Sequence, residues 1–223
     1  MKKMKTIILI SAFVGSFFIS GCGASNAVKG GAIGGVSGGV VGGVIGHYAG
    51  NTVLGAIIGA AVGGTAGALI GNYMDNQAEE MQNDISGAKI ERVGEGIKIT
   101  FDSGILFASN SSTLESQAKT NINKLATILN KYPDTNILVT GHTDSDGTEE
   151  HNQTLSESRA RSVSNYTGMQ GVASSRFSVV GLGEKEPVAS NDDSGGKRMN
   201  RRVEIAIFAN DKLKDAAESG GLN

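Results

Sequence analysis

Glycine recurs at every fourth position across residues 30–71, and this period constrains the N-terminal part of the chain more than any other feature. One series occupies positions 30, 34, 38, 42, 46 and 50, and a second occupies positions 55, 59, 63, 67 and 71. Small residues at i and i+4 lie on one helix face and let two backbones approach closely. Glycine alone would also suit a flexible linker. A linker, however, has no need of the Val, Ile, Leu and Ala residues that fill the intervals.

We therefore interpret residues 30–75 as a glycine-zipper helical hairpin, with helices over residues 27–50 and 53–74. Each helix is long enough to cross a bilayer, which needs roughly 20 residues. In water each glycine would cost up to about 1 kcal/mol relative to alanine, so membrane association or tight self-packing must stabilise the helices. A membrane-embedded hairpin, a hairpin or homo-oligomer packed in water, and a disordered segment all stay open.

The N-terminus has the pattern of a secretory signal. A basic stretch over residues 1–5 precedes an apolar run over residues 6–20, and Ile-Ser-Gly-Cys ends at Cys22. These four residues resemble the bacterial lipobox, in which the cysteine becomes the lipidated first residue. We expect a signal peptide over residues 1–21, lipidation of Cys22 and a short tether over residues 22–29. Gly23 in place of an aspartate resembles the sorting signal of outer-membrane lipoproteins.

Ordinary apolar periodicity begins near residue 76 and predicts an α/β (α+β) two-layer sandwich of βαβαββ order. We expect a connector over residues 76–90, a domain over residues 91–210 and a flexible tail over residues 211–223. The predicted strands cover residues 96–101, 136–140, 177–180 and 201–208. The predicted helices cover residues 112–131 and 153–169, and a polar loop is predicted over residues 181–200.

Arg159 stands on the apolar face of the second predicted helix, whereas Arg161 falls on the opposite face. A buried, unpaired charge costs several kcal/mol, so Arg159 needs a partner. The obvious partner is Asp144, at the C-terminal end of the strand that leads into the polar loop. The same pair could be a purely structural salt bridge or the acid and base of a binding site.

Four blocks now carry a family resemblance: TGHTDSDG, NQTLSESRARSV, SVVGLGEKEPVASN and KRMNRRVEI. In this order they resemble the peptidoglycan-associating C-terminal domain of the OmpA family, over roughly residues 85–208. The resemblance implies non-covalent binding of the diaminopimelate side chain of the peptidoglycan stem peptide, by Asp144 of GHTD and Arg159 of LSxxRA. It implies an outer-membrane lipoprotein, held in the membrane by lipid on Cys22, with its C-terminal domain in the periplasm.

Further pocket residues are predicted around this pair. Asn110 matches a family position that lines the pocket, and Asn152 lies on the same helical face as Arg159. Thr143 could offer its backbone N–H to a ligand carboxylate. Arg201 and Arg202 are both candidates, and strand alternation favours Arg201 because it shares a face with apolar residues. Either arginine could instead pair with a nearby acid.

Other functions fit the sequence less well. A net charge of −2 gives no basis for a nucleic-acid partner. His142, Asp144, Asp146, Glu149 and His151 crowd one loop, but they lack a recognisable metal-ligand spacing, and no catalytic motif accompanies them. We expect no enzyme, no metal and no cofactor. A membrane-perturbing zipper oligomer, an accessory of outer-membrane protein assembly and a metal-dependent periplasmic hydrolase remain the alternatives.

Overall fold

The computed structural model of the chain describes residues 50–221. The predicted signal peptide, Cys22 and nearly all of the first predicted zipper helix lie outside the described residues. The helices in order are α1 (Thr52–Gly59), α2 (Gly64–Asp84), α3 (Ser103–Leu106), α4 (Ser116–Lys131), α5 (Glu149–Met169), α6 (Ser194–Asn200) and α7 (Asp211–Glu218). The strands are β1 (Ala88–Val93), β2 (Gly96–Asp102), β3 (Thr135–Gly141), β4 (Phe177–Gly181) and β5 (Arg202–Ala209).

The five strands form one mixed sheet of order β1-β2-β5-β3-β4. All neighbouring pairs are antiparallel except β3 and β4, which run parallel through the crossover helix α5. Alternation in β2 turns Ile97, Ile99 and Phe101 to the main core, as the sequence predicts. The predicted α/β class is confirmed.

Helices α2, α4 and α5 contribute to the main core on one face of the sheet, which we call the inner face. From α2, Ile70, Met74 and Met81 are fully buried there. The opposite, outer face carries a second, smaller apolar cluster to which α1 contributes. The sheet is therefore covered by helix on both faces.

The prediction of a single helix over residues 53–74 is wrong. The chain instead forms α1 and α2, separated at residues 60–63, because Gly63 and Gly64 take φ angles of 75° and 63° that only glycine adopts readily. Beyond the break, α2 continues without interruption into the stretch predicted as a connector. None of the helices between residues 50 and 221 combines the length and apolar character that a membrane crossing requires.

Three further elements differ from the sequence prediction. Strand β1 pairs with β2 at the sheet edge, where its side chains are mostly half-buried and its alternation is weak. Helix α6 lies within the predicted polar loop. In place of a flexible tail, residues 211–218 form α7, whose Leu213 and Ala217 are buried in the main core.

Candidate functional site

Three segments converge at the end of β3: the loop that follows this strand, the loop between α3 and α4, and the first turns of α5. β3 and α5 approach closely because Gly141 has no side chain, and a Cβ there would collide with the carbonyl oxygen of Ser156. A pocket of about 230 Å³ lies at this junction. It is lined by Ser109, Asn110, Thr143, Asp144, Asp146, His151, Asn152, Leu155, Arg159 and Arg201.

Asp144 lies in the pocket with 6% of its surface exposed. One carboxylate oxygen, Oδ1, accepts a hydrogen bond from the backbone N–H of Asp146 at 3.2 Å. The other, Oδ2, pairs with the guanidinium of Arg201, which directly precedes β5. The expected Asp144–Arg159 salt bridge is therefore replaced by an Asp144–Arg201 pair.

Arg159 is 4% exposed and takes part in none of the ion pairs formed within residues 50–221. Its Nε donates to the carbonyl oxygen of Ser111 at 2.9 Å, and its guanidinium carbon lies 5.3 Å from the centre of the Phe107 ring. Burial lowers the pKa of Arg159, the positive charge of Arg201 lowers it further, and Asp144 raises it. The guanidinium is thus held in place by neutral groups, and its charge is not offset by a direct carboxylate contact.

Two asparagines connect the walls of the pocket. Asn110 takes a left-handed φ of 53°, and its Oδ1 accepts from Nε2 of His151 at 3.0 Å, which links the loop before α4 to the first turn of α5. Asn152 donates through Nδ2 to the carbonyl oxygen of Asp144 at 3.2 Å and to Oε2 of Glu184 at 2.6 Å. Both side chains therefore hold the pocket in shape as well as lining it.

Thr143 lines the pocket, but its backbone N–H is already engaged. It donates to the carbonyl oxygen of Gly183 at 2.9 Å, so the structure contradicts the expectation that this N–H is offered to a ligand carboxylate. The Thr143 hydroxyl, in contrast, is buried and has no hydrogen-bond partner within the described part of the chain. A donor and acceptor is thus available at this wall of the pocket.

Arg202 lies apart from the pocket. Its Nε is 2.8 Å from Oε1 of Glu204, and its Nη groups donate to the carbonyl oxygens of Asn200 and Glu186. Strand alternation is the reason, because it turns Arg202 and Glu204 to the outer face while Val203 enters the main core. The pocket therefore contains Asn110, Thr143, Asp144, Asn152, Arg159 and Arg201, and excludes Arg202.

Sequence reasoning missed residues that hold the pocket side chains in place. Phe107 and the Ser111 carbonyl, which hold Arg159, belong to an irregular loop with no periodicity. Glu184, which orients Asn152, comes from the loop after β4, 32 positions further along the chain. The sequence does not predict His151 and Asp146 as residues of a ligand pocket, although both line it. Within residues 50–221 no group of three His, Cys, Asp or Glu side chains is arranged to hold a metal ion.

Comparison with known proteins places this pocket inside a family model. The model of the OmpA family matches residues 106–201, and that of the YMGG-like Gly-zipper matches residues 1–75. The chain is 37% identical over 136 residues to Probable lipoprotein YiaD of Escherichia coli. This alignment covers 60% of this chain and 62% of YiaD. It is also 37% identical over 103 residues to Peptidoglycan-binding protein ArfA of Mycobacterium tuberculosis, covering 46% of this chain and 32% of ArfA.

A solved structure has the same fold. The cell wall anchor of the T6SS from Pseudomonas aeruginosa superposes with a TM-score of 0.52 and 28% sequence identity, over 63% of this chain and 96% of that chain. This chain spans about three fifths of the length of YiaD and about one third of ArfA. What it shares with these relatives is therefore a part of each protein.

Proposed function

The chain carries an OmpA family domain behind a YMGG-like Gly-zipper segment, and from this premise we propose that it binds peptidoglycan without a covalent bond. The relatives support the proposal through their names: ArfA is a peptidoglycan-binding protein, and the solved neighbour is a cell wall anchor. These names describe binding rather than catalysis. The proposed role is therefore structural attachment.

The observation that carries the proposal is that Asp144 shares one pocket with two arginines, Arg159 and Arg201. The free end of a diaminopimelate side chain bears an ammonium and a carboxylate on the same carbon. Asp144 can accept hydrogen bonds from the ammonium, and a guanidinium can hold the carboxylate in a two-point contact. Arg159 is the better partner for the carboxylate, because its charge is not already offset by an ion pair.

The pocket also suits diaminopimelate better than lysine, the residue with the same chain but without the distal carboxylate. A lysine ammonium could pair with Asp144, but it would leave Arg159 buried without an anion. Leaving a buried polar group unsatisfied costs about 1–3 kcal/mol, and more for a charged group. A site built around Arg159 should therefore reject lysine-type stem peptides.

Attachment to the membrane rests on the N-terminal sequence. We propose that Cys22 is lipidated and inserted in the outer membrane, which leaves the OmpA family domain in the periplasm. The similarity to Probable lipoprotein YiaD supports this placement. Because a cell wall presents many copies of the ligand, weak binding by each domain is enough for a durable link, and self-association through the zipper would add further contacts.

Pelleting with purified sacculi tests the proposal. The full chain should sediment with diaminopimelate-type sacculi but not with lysine-type sacculi, and meso-diaminopimelate should release it while lysine should not. Asp144→Asn and Arg159→Gln should abolish sedimentation. Arg161→Gln, which changes an exposed arginine on the other side of α5, is the matched control. Equal sedimentation of all four proteins would contradict the proposal.

A further inference from the structure

Helix α1 lies on the outer face of the sheet with a small and separate apolar contact. Val53, Ala56 and Ile57 are buried against Leu138 and Ala206, in a cluster distinct from the main core. Ile57 packs against the sheet in the space that Gly96 leaves by having no side chain. A Cβ at Gly96 would come within 2.6 Å of the Ile57 side chain and 2.8 Å of the carbonyl oxygen of Ile207.

Polar contacts fix the first turn of α1 to two acidic residues of the domain. The Thr52 backbone N–H donates to Oε2 of Glu186 at 3.1 Å, and its hydroxyl donates to Oε1 at 2.6 Å. Asn51 donates through Nδ2 to Oε2 of Glu204 at 3.3 Å, while its Oδ1 caps the N–H of Leu54. A carboxylate at the positive end of a helix is favourable, so Glu186 stabilises the docked position of α1.

Helix α2 does not depend on α1 for its own position. Its N-terminal side is held by Glu95, whose carboxylate accepts from the N–H groups of Val62 and Gly63 at 2.7 Å. Its apolar residues belong to the main core on the inner face. Because the left-handed glycines 63 and 64 lie at the start of α2 and break its continuity with α1, α1 can leave the sheet while α2 stays in place.

The residue that anchors α1 belongs to a loop that also contacts residues of the pocket. In the loop over residues 182–193, Glu186 contacts α1, whereas Gly183 and Glu184 accept hydrogen bonds from Thr143 and Asn152 of the pocket. Asn191 of the same loop accepts from the backbone N–H of Ser145, next to Asp144. A shift of this loop would therefore act on Thr143, on Asn152 and on the backbone next to Asp144.

We propose that α1 is a releasable strap whose docking on the outer face positions the 182–193 loop and thereby the ligand pocket. This short helix within the glycine-zipper segment would then control the affinity of the domain for its ligand. By linkage, ligand in the pocket must favour docked α1 by the same factor. The inference rests on the proposed function for the identity of the ligand, but not for the docking of α1 itself.

Hydrogen exchange on the full chain, first without and then with ligand, tests whether α1 is a releasable strap. The backbone amides of α1 should exchange at least roughly tenfold faster than those of Met74 to Met81 in α2, because α1 opens locally. Addition of meso-diaminopimelate should slow exchange in α1 as well as in the 182–193 loop. Exchange of α1 together with the core, or a ligand effect confined to the loop, would overturn the inference.

Two substitutions on α1 provide a matched pair. Ile57 is 1% exposed and Ile58 is 43% exposed, so Ile57→Asp should undock α1 whereas Ile58→Asp should not. Ile57→Asp should speed exchange in the 182–193 loop and weaken binding to diaminopimelate-type sacculi several-fold, with α2 still protected.

Loss of the whole fold in Ile57→Asp, or identical behaviour of the two variants, would show that α1 is no separate strap. If wild-type protein binds no sacculi, the proposed function fails, and the exchange rates still decide the inference.

Discussion

Arg201 supplies the guanidinium that pairs with the Asp144 carboxylate in the pocket. Arg159 lies in the same pocket without an ion pair, and the other carboxylate of the lining, Asp146, is 2.8 Å from Lys197. The charge of Arg159 is therefore in excess. This uncompensated charge favours a ligand that carries a carboxylate. We therefore expect Arg159 to be required for ligand binding but not for the stability of the fold.

Arg159→Met tests that separation. Burying a charge without a carboxylate partner costs free energy that an apolar side chain of similar length would not, so we expect the free energy of unfolding to stay equal or rise by about 1–2 kcal/mol. Sedimentation with sacculi should disappear at the same time. Urea denaturation measures the first effect and pelleting the second, with Arg161→Met as the control. A loss of more than about 2 kcal/mol would mean that Arg159 serves the fold instead.

Asp144→Asn should have the opposite effect on stability. Without the carboxylate, the charges of Arg159 and Arg201 repel each other unopposed, and we expect a loss of about 1–2 kcal/mol because Arg201 is 39% exposed and partly screened. The double variant Asp144→Asn/Arg201→Gln should recover most of this loss without recovering binding. A double-mutant cycle on the free energy of unfolding measures the coupling. Additive single effects would contradict the pairing.

The sequence predicts this site better than it predicts the contacts inside it. Strand alternation is enough to place Arg201 and Arg202 on different faces, and helical periodicity is enough to turn Arg159 inward. Neither pattern reveals which cation reaches Asp144, because that depends on where β5 begins relative to the loop after β3. Phe107 and Glu184 were missed for a similar reason, since irregular loops have no period.

The elements of the fold were likewise predictable only where the sequence has a regular apolar period. Alternating apolar residues identify β2, β3 and β5, whereas the edge strand β1 gives a weak signal. Arg176 gave no signal at all, although it is buried and donates to the carbonyl oxygens of Leu129, Tyr132 and Thr135. The glycine period correctly indicates helix between residues 52 and 74, but it does not show that glycines 63 and 64 break the helix or that α2 joins the main core.

His142 should make the protein less stable in mild acid. Burial, and next the charge of Arg202, lower the pKa of His142 to about 3, so the folded state keeps the imidazole neutral. The unfolded chain takes up a proton below its ordinary value near 6.5. The free energy of unfolding should therefore be constant above about pH 7 and fall as the pH decreases from 6.5 towards 3, with a slope approaching about 1.4 kcal/mol per pH unit.

Urea denaturation at pH 7 and pH 5 measures this slope, with His142→Gln as the comparison. Glu204, whose pKa is lowered by the charge of Arg202 in spite of burial, contributes in the same direction, but only below its ordinary value of 4.5. The range from pH 7 to pH 5 therefore isolates the histidine. Parallel stability profiles for wild type and His142→Gln would show that the imidazole is not held neutral.

Truncation separates the contribution of α2 from that of α1. A chain over residues 76–223 lacks Ile70 and Met74, which are fully buried in the main core. Losing a large buried side chain costs about 2–5 kcal/mol, so this truncation should remove most of the usual 5–15 kcal/mol of stability. A chain over residues 64–223 loses α1, its small outer-face cluster and the bonds from Val62 and Gly63 to Glu95, but it keeps α2 and should keep a cooperative thermal transition. Melting curves of both, compared with residues 50–223, check the ranking, and equal midpoints for 76–223 and 50–223 would show that α2 is dispensable to the domain.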